Sequence, residues 1–325
     1  MVISEQKTRV ISPDEIESVA VTGAAGLIGS AVVRLLSAAG VPITAIDLPG
    51  APDMVPGTHV PIVHADVAEQ SLVKILDTCQ PRAIIHAAAH PGGKSLREPV
   101  EDVRVNALGS MCVFDWCAKT GSHVVYLSSS IVYGDQPEGP ISEAAKLQPG
   151  TIYGVAKVAC EQWLRILGNG RGINWTVLRL FATYGAGHQS SLEQGIVNIM
   201  LTQLLKGNRI VVKGSLQRQR DMIYVDDVAT AIVQSLLCPA AQGQVINVGT
   251  GVAVTIGEMI NTLFDALDRP RSAIEIVEEE GTQGDPYSNV ADIARLKQIL
   301  AFEPKFNLSS GVQELVRARL VSTTK

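Results

Sequence analysis

Ser18-Val-Ala-Val-Thr-Gly23-Ala-Ala-Gly26-Leu-Ile-Gly29-Ser-Ala-Val-Val-Arg-Leu-Leu36 is the stretch that decides the fold. Ser18–Val21 opens as a short buried strand. Leu27, Ile28, Ala31, Leu35 and Leu36 then follow helical spacing up to Gly40, a residue suited to terminate a helix. Between strand and helix lie three glycines. They allow a tight turn, close approach of the backbone to a ligand, and packing of helix on strand.

Outward from this stretch the alternation continues. Ile43–Ile46, Val60–His64, Ala83–His86, Val124–Leu127 and Trp175–Leu180 read as strands, and Ser71–Thr78, Val100–Thr120 and Tyr153–Leu167 as helices between them. Such alternation needs crossover connections, so the expected fold is α/β with a doubly wound parallel sheet. After about residue 181 the pattern loosens. Loops with Gly185, Gly187, Gly207 and Gly214 separate helical pieces at Leu192–Leu205 and Val225–Leu237. Residues 1–17 read as a poorly ordered lead-in, 18–181 as the nucleotide-binding domain and 182–325 as a smaller substrate-binding region. Gln244–Gly249 is one more buried strand, expected to rejoin the main sheet.

Composition narrows the partners. A formal net charge of −5 with no basic stretch argues against a nucleic-acid surface. No apolar run reaches the roughly eighteen residues of a membrane span. The polar N-terminus lacks a secretory apolar segment, so the expectation is a cytoplasmic chain. Five cysteines without a CxxC pair read as reduced thiols, and six histidines without HxxxH spacing predict no metal site.

Gly23, Gly26 and Gly29, with Leu27 and Ile28 opening the helix, form a loop suited to a dinucleotide pyrophosphate. Asp47 ends the second strand, where a carboxylate accepts from ribose hydroxyls and repels a 2′-phosphate; no lysine or arginine lies between Leu48 and Asp53. NAD is therefore expected over NADP, the alternative being a solvated strand-end aspartate. Ala87 and Ala88 after the fourth strand are small enough for backbone to lie against a cofactor.

Tyr153-Gly-Val-Ala-Lys157 places a phenol and an ammonium one helical turn apart. Beside an oxidised nicotinamide, the lysine is expected to lower the phenol pKa towards neutrality, so that the tyrosine takes a proton from a substrate hydroxyl. Taken alone, such a pair also arises by chance in helices. Ser128-Ser-Ser130, ending the fifth strand, adds a hydroxyl where a doubly wound sheet binds its ligand.

With these motifs in this order, the chain resembles the extended short-chain dehydrogenase/reductases of the sugar-nucleotide epimerase/dehydratase type, which have a Rossmann fold. The likeness runs from Val21 to about Pro304. Asp66-Val67 resembles the family's pair at the adenine. Arg179-Leu-Phe-Ala-Thr-Tyr-Gly185 is similar to its RxFNxYG, Arg220-Asp-Met-Ile-Tyr-Val-Asp-Asp-Val228 to its RDxxxVxDV, and Asn247-Val-Gly-Thr-Gly251 to its NxGxG. Gly284-Asp285 with Ala291-Asp292 resembles the closing element. The resemblance implies Ser129, Tyr153 and Lys157 as the catalytic set, Leu180 and Phe181 near the nicotinamide, and Arg220 on a substrate phosphate.

The family's 4,6-dehydratases carry Thr-Asp-Glu where this chain has Ser129-Ser130-Ile131. Isoleucine transfers no proton, which favours a nucleotide-sugar 4-epimerase over a dehydratase. Ala182 replaces the family's asparagine, and Gln283 stands where many relatives of this type have arginine. These departures keep open a net NAD-dependent dehydrogenase or reductase of a sugar, polyol or sugar acid. A non-catalytic NAD-binding scaffold is the third reading, and the intact catalytic set argues against it. Val103, Leu108, Phe114, Trp163 and Ile166 give the helices at Val100–Thr120 and Tyr153–Leu167 long apolar content. Related enzymes pair these helices across a homodimer.

Overall fold

The computed structural model describes residues 16–187 and 195–323. The chain begins β1 (Val19–Thr22), α1 (Leu27–Ala38), β2 (Ile43–Asp47), β3 (Ile62–His64), α2 (Gln70–Cys79) and β4 (Ala83–His86). Two short turns, α3 (Gly92–Ser95) and α4 (Pro99–Asp102), lead into α5 (Ser110–Thr120), β5 (His123–Ser129), β6 (Pro140–Ile141), α6 (Ile152–Arg171) and β7 (Trp175–Leu180). Then follow β8 (Ala182–Tyr184), α7 (Ile196–Lys206), β9 (Arg209–Lys213), β10 (Gln219–Arg220), β11 (Met222–Tyr224), α8 (Val225–Leu237) and β12 (Gln244–Val248). The chain ends with β13 (Val254–Thr255), α9 (Ile256–Ala266), β14 (Glu275–Glu279), β15 (Ser288–Ala291), α10 (Ala294–Leu300) and α11 (Leu308–Thr323).

Seven strands form one parallel sheet in the order β3-β2-β1-β4-β5-β7-β12. The order reverses between β1 and β4, and in such a sheet the crevice at the strand carboxyl ends is where ligands bind. Strand periodicity separates the core into two layers. Val21, Ile85, Val125, Leu178 and Ile246 face α1, α7, α8 and α9. Their neighbours Ala20, Ile84, Val124, Val177 and Val245 face α2, α5 and α6. Full burial of each large aliphatic is worth about 1.5–3 kcal/mol. β12 lies beside β7, with Gln244 opposite Thr176 and Val248 opposite Leu180. The C-terminal region is therefore stitched back onto the sheet.

The remaining strands are short and drawn from distant parts of the chain: β13-β10-β15-β6, β11-β8 and β14-β9. A buried polar network crosslinks the main sheet to α6 and reaches the short strands where Asn247 Nδ2 donates to the Ile141 carbonyl of β6 (2.8 Å). Arg179 on β7 and Glu161 on α6, each 1% exposed, pair at 2.6 Å. Ser128 Oγ donates to Glu161 (2.6 Å), Arg179 Nη1 to the Tyr133 hydroxyl (2.9 Å), and that hydroxyl to Asn247 Oδ1 on β12 (2.6 Å).

Three boundaries differ from the sequence reading. Ile16, within the stretch read as a lead-in, packs into the core. The single helix expected over Val100–Thr120 is interrupted: Val103–Gly109 is π-helical between α4 and α5. There the Asn106 carbonyl accepts from Ser110 Oγ and Cys160 Sγ, and Gly109 lies so close to Val67 that a Cβ would stand 2.6 Å from Cγ2. Of the helix expected at Leu192–Leu205, positions 192–194 fall outside the described residues, Gly195 precedes the helix, and α7 begins at Ile196.

Candidate active site

A cleft of about 700 Å³ opens at the carboxyl ends of β1, β2, β4, β5 and β7. Gly23, Gly26, Leu27, Ile28 and Gly29 form one wall. Asp47, Val67, Ala87, Ala88, Ser129, Tyr153, Lys157, Leu180 and Phe181 also line it.

Crowding explains the glycines. Gly23 has φ +69°, and a Cβ on it would lie 2.7 Å from Ala88 N; one on Gly29 would lie 2.0 Å from the Gly23 carbonyl oxygen. The loop is fastened by Asp47, whose Oδ2 accepts from Ala25 N (2.7 Å) and Oδ1 from Leu48 N (2.8 Å). No side chain caps the first turn of α1. Its N–H groups and dipole are thus directed at the cleft, which suits a pyrophosphate. A glycine cradle, uncapped amides and a carboxylate beside them fit a dinucleotide.

Asp66, expected at the adenine, does not line the cleft. Its carboxylate accepts from Ala68 N (2.8 Å) and Arg104 Nη2 (2.7 Å). Burial opposes its ionisation, but the Arg104 and Ala68 bonds hold it below the usual carboxylate range.

At the other end, Thr151 caps α6 by accepting from Gly154 N (3.0 Å). Tyr153 N donates to Ser95 Oγ (2.9 Å), and a Cβ on Gly92 would touch the Tyr153 ring at 3.3 Å. Lys157, buried, donates from Nζ to the Leu127 carbonyl (2.9 Å). The same Nζ lies 4.7 Å and 5.4 Å from the ring centres of Tyr126 and Tyr153. Burial pulls the Lys157 ammonium down to about 8, against Cys160, Asp102 and Glu161, which favour its charge. The Tyr153 phenol is pushed up, by burial and then by Asp102. The lowering expected beside Lys157 belongs to the site with an oxidised nicotinamide in place; in the protein alone, burial sets the direction. His86, buried between Thr22 and Ser110 hydroxyls, is pulled to about 3 by burial and by Lys157, and is neutral.

The three serines after β5 are not equivalent. The Ser128 hydroxyl is committed to Glu161, and Ser130 is buried away from the cleft. Ser129 lines the cleft, and its Oγ makes only a long contact with Ile131 N (3.4 Å).

Arg220 is not brought to this cleft. It is buried on β10, donating to Asp285 (2.7 Å) and to the carbonyls of Gln219 and Tyr287. Arg218 shares the same carboxylate. The Asp285 turn abuts the segment leading into α6: a Cβ on Gly284 would lie 2.4 Å from the Gly150 carbonyl oxygen.

Sequence reasoning missed His90, which lines the cleft, and Asn106, which clamps it by accepting from His90 N (2.8 Å) and donating to His90 O (3.1 Å). A signal was present. Asp102, Asn106 and Ser110 recur every four residues, and all three are buried. A polar stripe at core spacing marks groups with work to do other than packing.

Comparison with known proteins agrees with this geometry. Residues 19–249 match the model of the NAD dependent epimerase/dehydratase family. UDP-glucose 4-epimerase of Mycolicibacterium smegmatis is 30% identical over 310 residues, 91% of this chain and 96% of that protein. The crystal structure of UDP-glucose 4-epimerase from Thermotoga maritima with UDP-glucose superposes with a TM-score of 0.88 at 27% identity, covering 95% of this chain and 100% of that one. The Thermus thermophilus UDP-glucose 4-epimerase complex with NAD gives 0.84 at 27% identity, covering 93% and 98%. The chain belongs to the NAD dependent epimerase/dehydratase family, and it is an enzyme whose cofactor is NAD.

Proposed function

We propose that this enzyme is a nucleotide-sugar 4-epimerase. The observation that carries the reading is the distribution of proton-transfer groups along the cleft. Ser129, Tyr153 and Lys157 line one end, while among the described lining residues the one carboxylate is Asp47, at the other. Eliminating water needs a further acid and base beside the reacting carbons; oxidising a hydroxyl and reversing the step needs one proton acceptor.

NAD, when bound, supplies a hydride acceptor and donor and a positive charge beside the phenol. Gly23, Gly26 and Gly29 would hold its pyrophosphate, and Asp47 its adenosine ribose. Tyr153 takes the proton of the substrate 4-hydroxyl, and Lys157 stabilises the phenolate. The Ser129 hydroxyl hydrogen-bonds the same substrate oxygen. Return of the proton from Tyr153 after the keto sugar has turned over completes the inversion. Arg220 is the proposed phosphate ligand, exchanging its contact with Asp285 for the diphosphate. The named activity of the Mycolicibacterium relative and the UDP-glucose in the Thermotoga structure support a UDP-sugar.

The test is incubation with a panel of UDP-, GDP- and dTDP-sugars, following anomeric NMR signals and absorbance at the NADH band. Interconversion without NADH accumulation is expected. Stoichiometric NADH would replace this reading with a net dehydrogenase.

We also propose a homodimer. Val103, Leu108 and Ile166 are exposed, as are Val100 and Val155 on the same helices, whereas Phe114 is buried in the core and Trp163 packs against it. A two-fold contact would cover this apolar surface. Light scattering at micromolar concentration distinguishes dimer from monomer, and a monomer would overturn it.

A further inference from the structure

We propose that Asp102 is the buried counter-charge of Lys157 and positions that lysine for proton transfer. The catalytic part rests on the function proposed above; the charge pairing does not.

Asp102 closes α4. Its side chain is wholly buried, and neither carboxylate oxygen makes a hydrogen bond to any of the described residues. A carboxylate in that position either takes up a proton or has an opposite charge close by. α4 packs against α6, the helix that carries Tyr153 and Lys157.

The other charged groups of this compartment are spoken for. Glu161 is closed on Arg179. Arg104, from the π-helical stretch, is closed on Asp66 and Glu101. His86 from β4 is neutral. The Cys160 thiol and the Tyr126 and Tyr153 phenols are all pushed up by burial, so each is uncharged at ordinary pH. His90 faces Glu98 at 3.4 Å. Lys94 on α3 is only half-buried and keeps part of its charge in water, whereas Lys157 is buried. That leaves the Lys157 ammonium, whose hydrogen bond goes to a neutral carbonyl, as the buried positive charge matching Asp102. The ordering of effects agrees. Burial drags Lys157 to about 8, and of the groups opposing it only Cys160 ranks above Asp102, through a thiolate absent at neutral pH. Lys157 stabilises phenolate only while protonated, so a lost counter-charge is felt as lost alkaline activity.

The experiment is NMR titration of the full chain labelled with [13Cγ]aspartate and [13Cε]lysine. Lys157→Met and Asp102→Asn identify the two resonances. Asp102 is expected to be ionised at pH 7. In Asp102→Asn the Lys157 pKa is expected to fall by at least about one unit, with Asp102→Glu restoring it in part. The alkaline limb of kcat moves to lower pH by the same interval, with KM little changed. If Asp102→Asn fails to fold, the pairing is read from the other side: Lys157→Met should raise the Asp102 pKa. An Asp102 protonated at neutral pH overturns the proposal. So does a Lys157 titration indifferent to Asp102→Asn, or an Asp102 ionisation that follows Lys94→Met rather than Lys157→Met. A fall in kcat equal at every pH, with the Lys157 titration shifted, would remove the catalytic part and leave the pairing.

Discussion

The two halves of the cleft's surroundings are built by different rules. The glycine-loop half is local: β1, Gly23–Gly29 and α1 are contiguous, and Asp47 reaches them from the adjacent strand. The half bearing Arg220 is assembled from afar. β10 pairs with β15 in parallel and with β13 antiparallel, and both arginines meet a carboxylate some 65 residues along the chain. A site made by one turn can be recognised from the residues of that turn. A site made by strand pairing acquires its geometry only when the sheet forms, so its residues carry little local signature.

The largest effect is expected where the halves meet. Tyr153→Phe removes the proton acceptor and should cost about 10²–10⁴ in turnover, the range for loss of a general base, while NAD binding by fluorescence titration stays near wild type. Loss of both together would mean that Tyr153 belongs to the nucleotide half instead.

On the assembled side, Arg220→Gln is expected to raise KM for the nucleotide sugar about ten- to a hundredfold, as removal of a charged hydrogen bond does, with NAD affinity unaltered. On the local side, Gly29→Ala forces a methyl against the Gly23 carbonyl. It should cost about 1–3 kcal/mol, the usual penalty for overpacking, seen in calorimetry and as weaker NAD binding. If Gly29→Ala moved KM for the sugar and left NAD alone, the division into halves would fail.

The smallest effect concerns cofactor choice. The wild type should bind NAD far more tightly than NADP, and Asp47→Ala should narrow the gap by roughly tenfold, about 1.4 kcal/mol. Equal affinity of the wild type for both would remove Asp47 from that role. Because Asp47 also ties down Ala25 and Leu48, some loss of NAD affinity accompanies the change.

How far the sequence could be read follows the same division. Every strand of the main sheet was visible, because buried parallel strands are short apolar runs bounded by polar or glycine residues. The serines were harder: the Ser128–Glu161 bond, spanning β5 and α6, and the burial of Ser130 away from the cleft are what separate Ser129 from its neighbours. The π-helical stretch could not be read, since Val103–Gly109 has ordinary helical content and its widening depends on contacts with Val67, His90 and Cys160. The partner of Asp66 could not be read either, since Arg104 lies on another element. The upward push on Tyr153 is likewise a property of the packed interior.

The Ser128–Glu161–Arg179–Tyr133–Asn247 chain makes separation into two independent folding units improbable on energetic grounds. Removing one member of a buried ion pair strands the other charge, at about 3–5 kcal/mol. Detaching β12 would remove Asn247 from the Tyr133 hydroxyl and expose the edge of β7 at the same moment. Amide protons on β7, β12 and α6 should therefore exchange together, through global opening, while those of β14 and β9 exchange earlier by local fraying. Limited proteolysis near residue 181 would then yield fragments that stay associated, neither of them a free-standing nucleotide-binding domain.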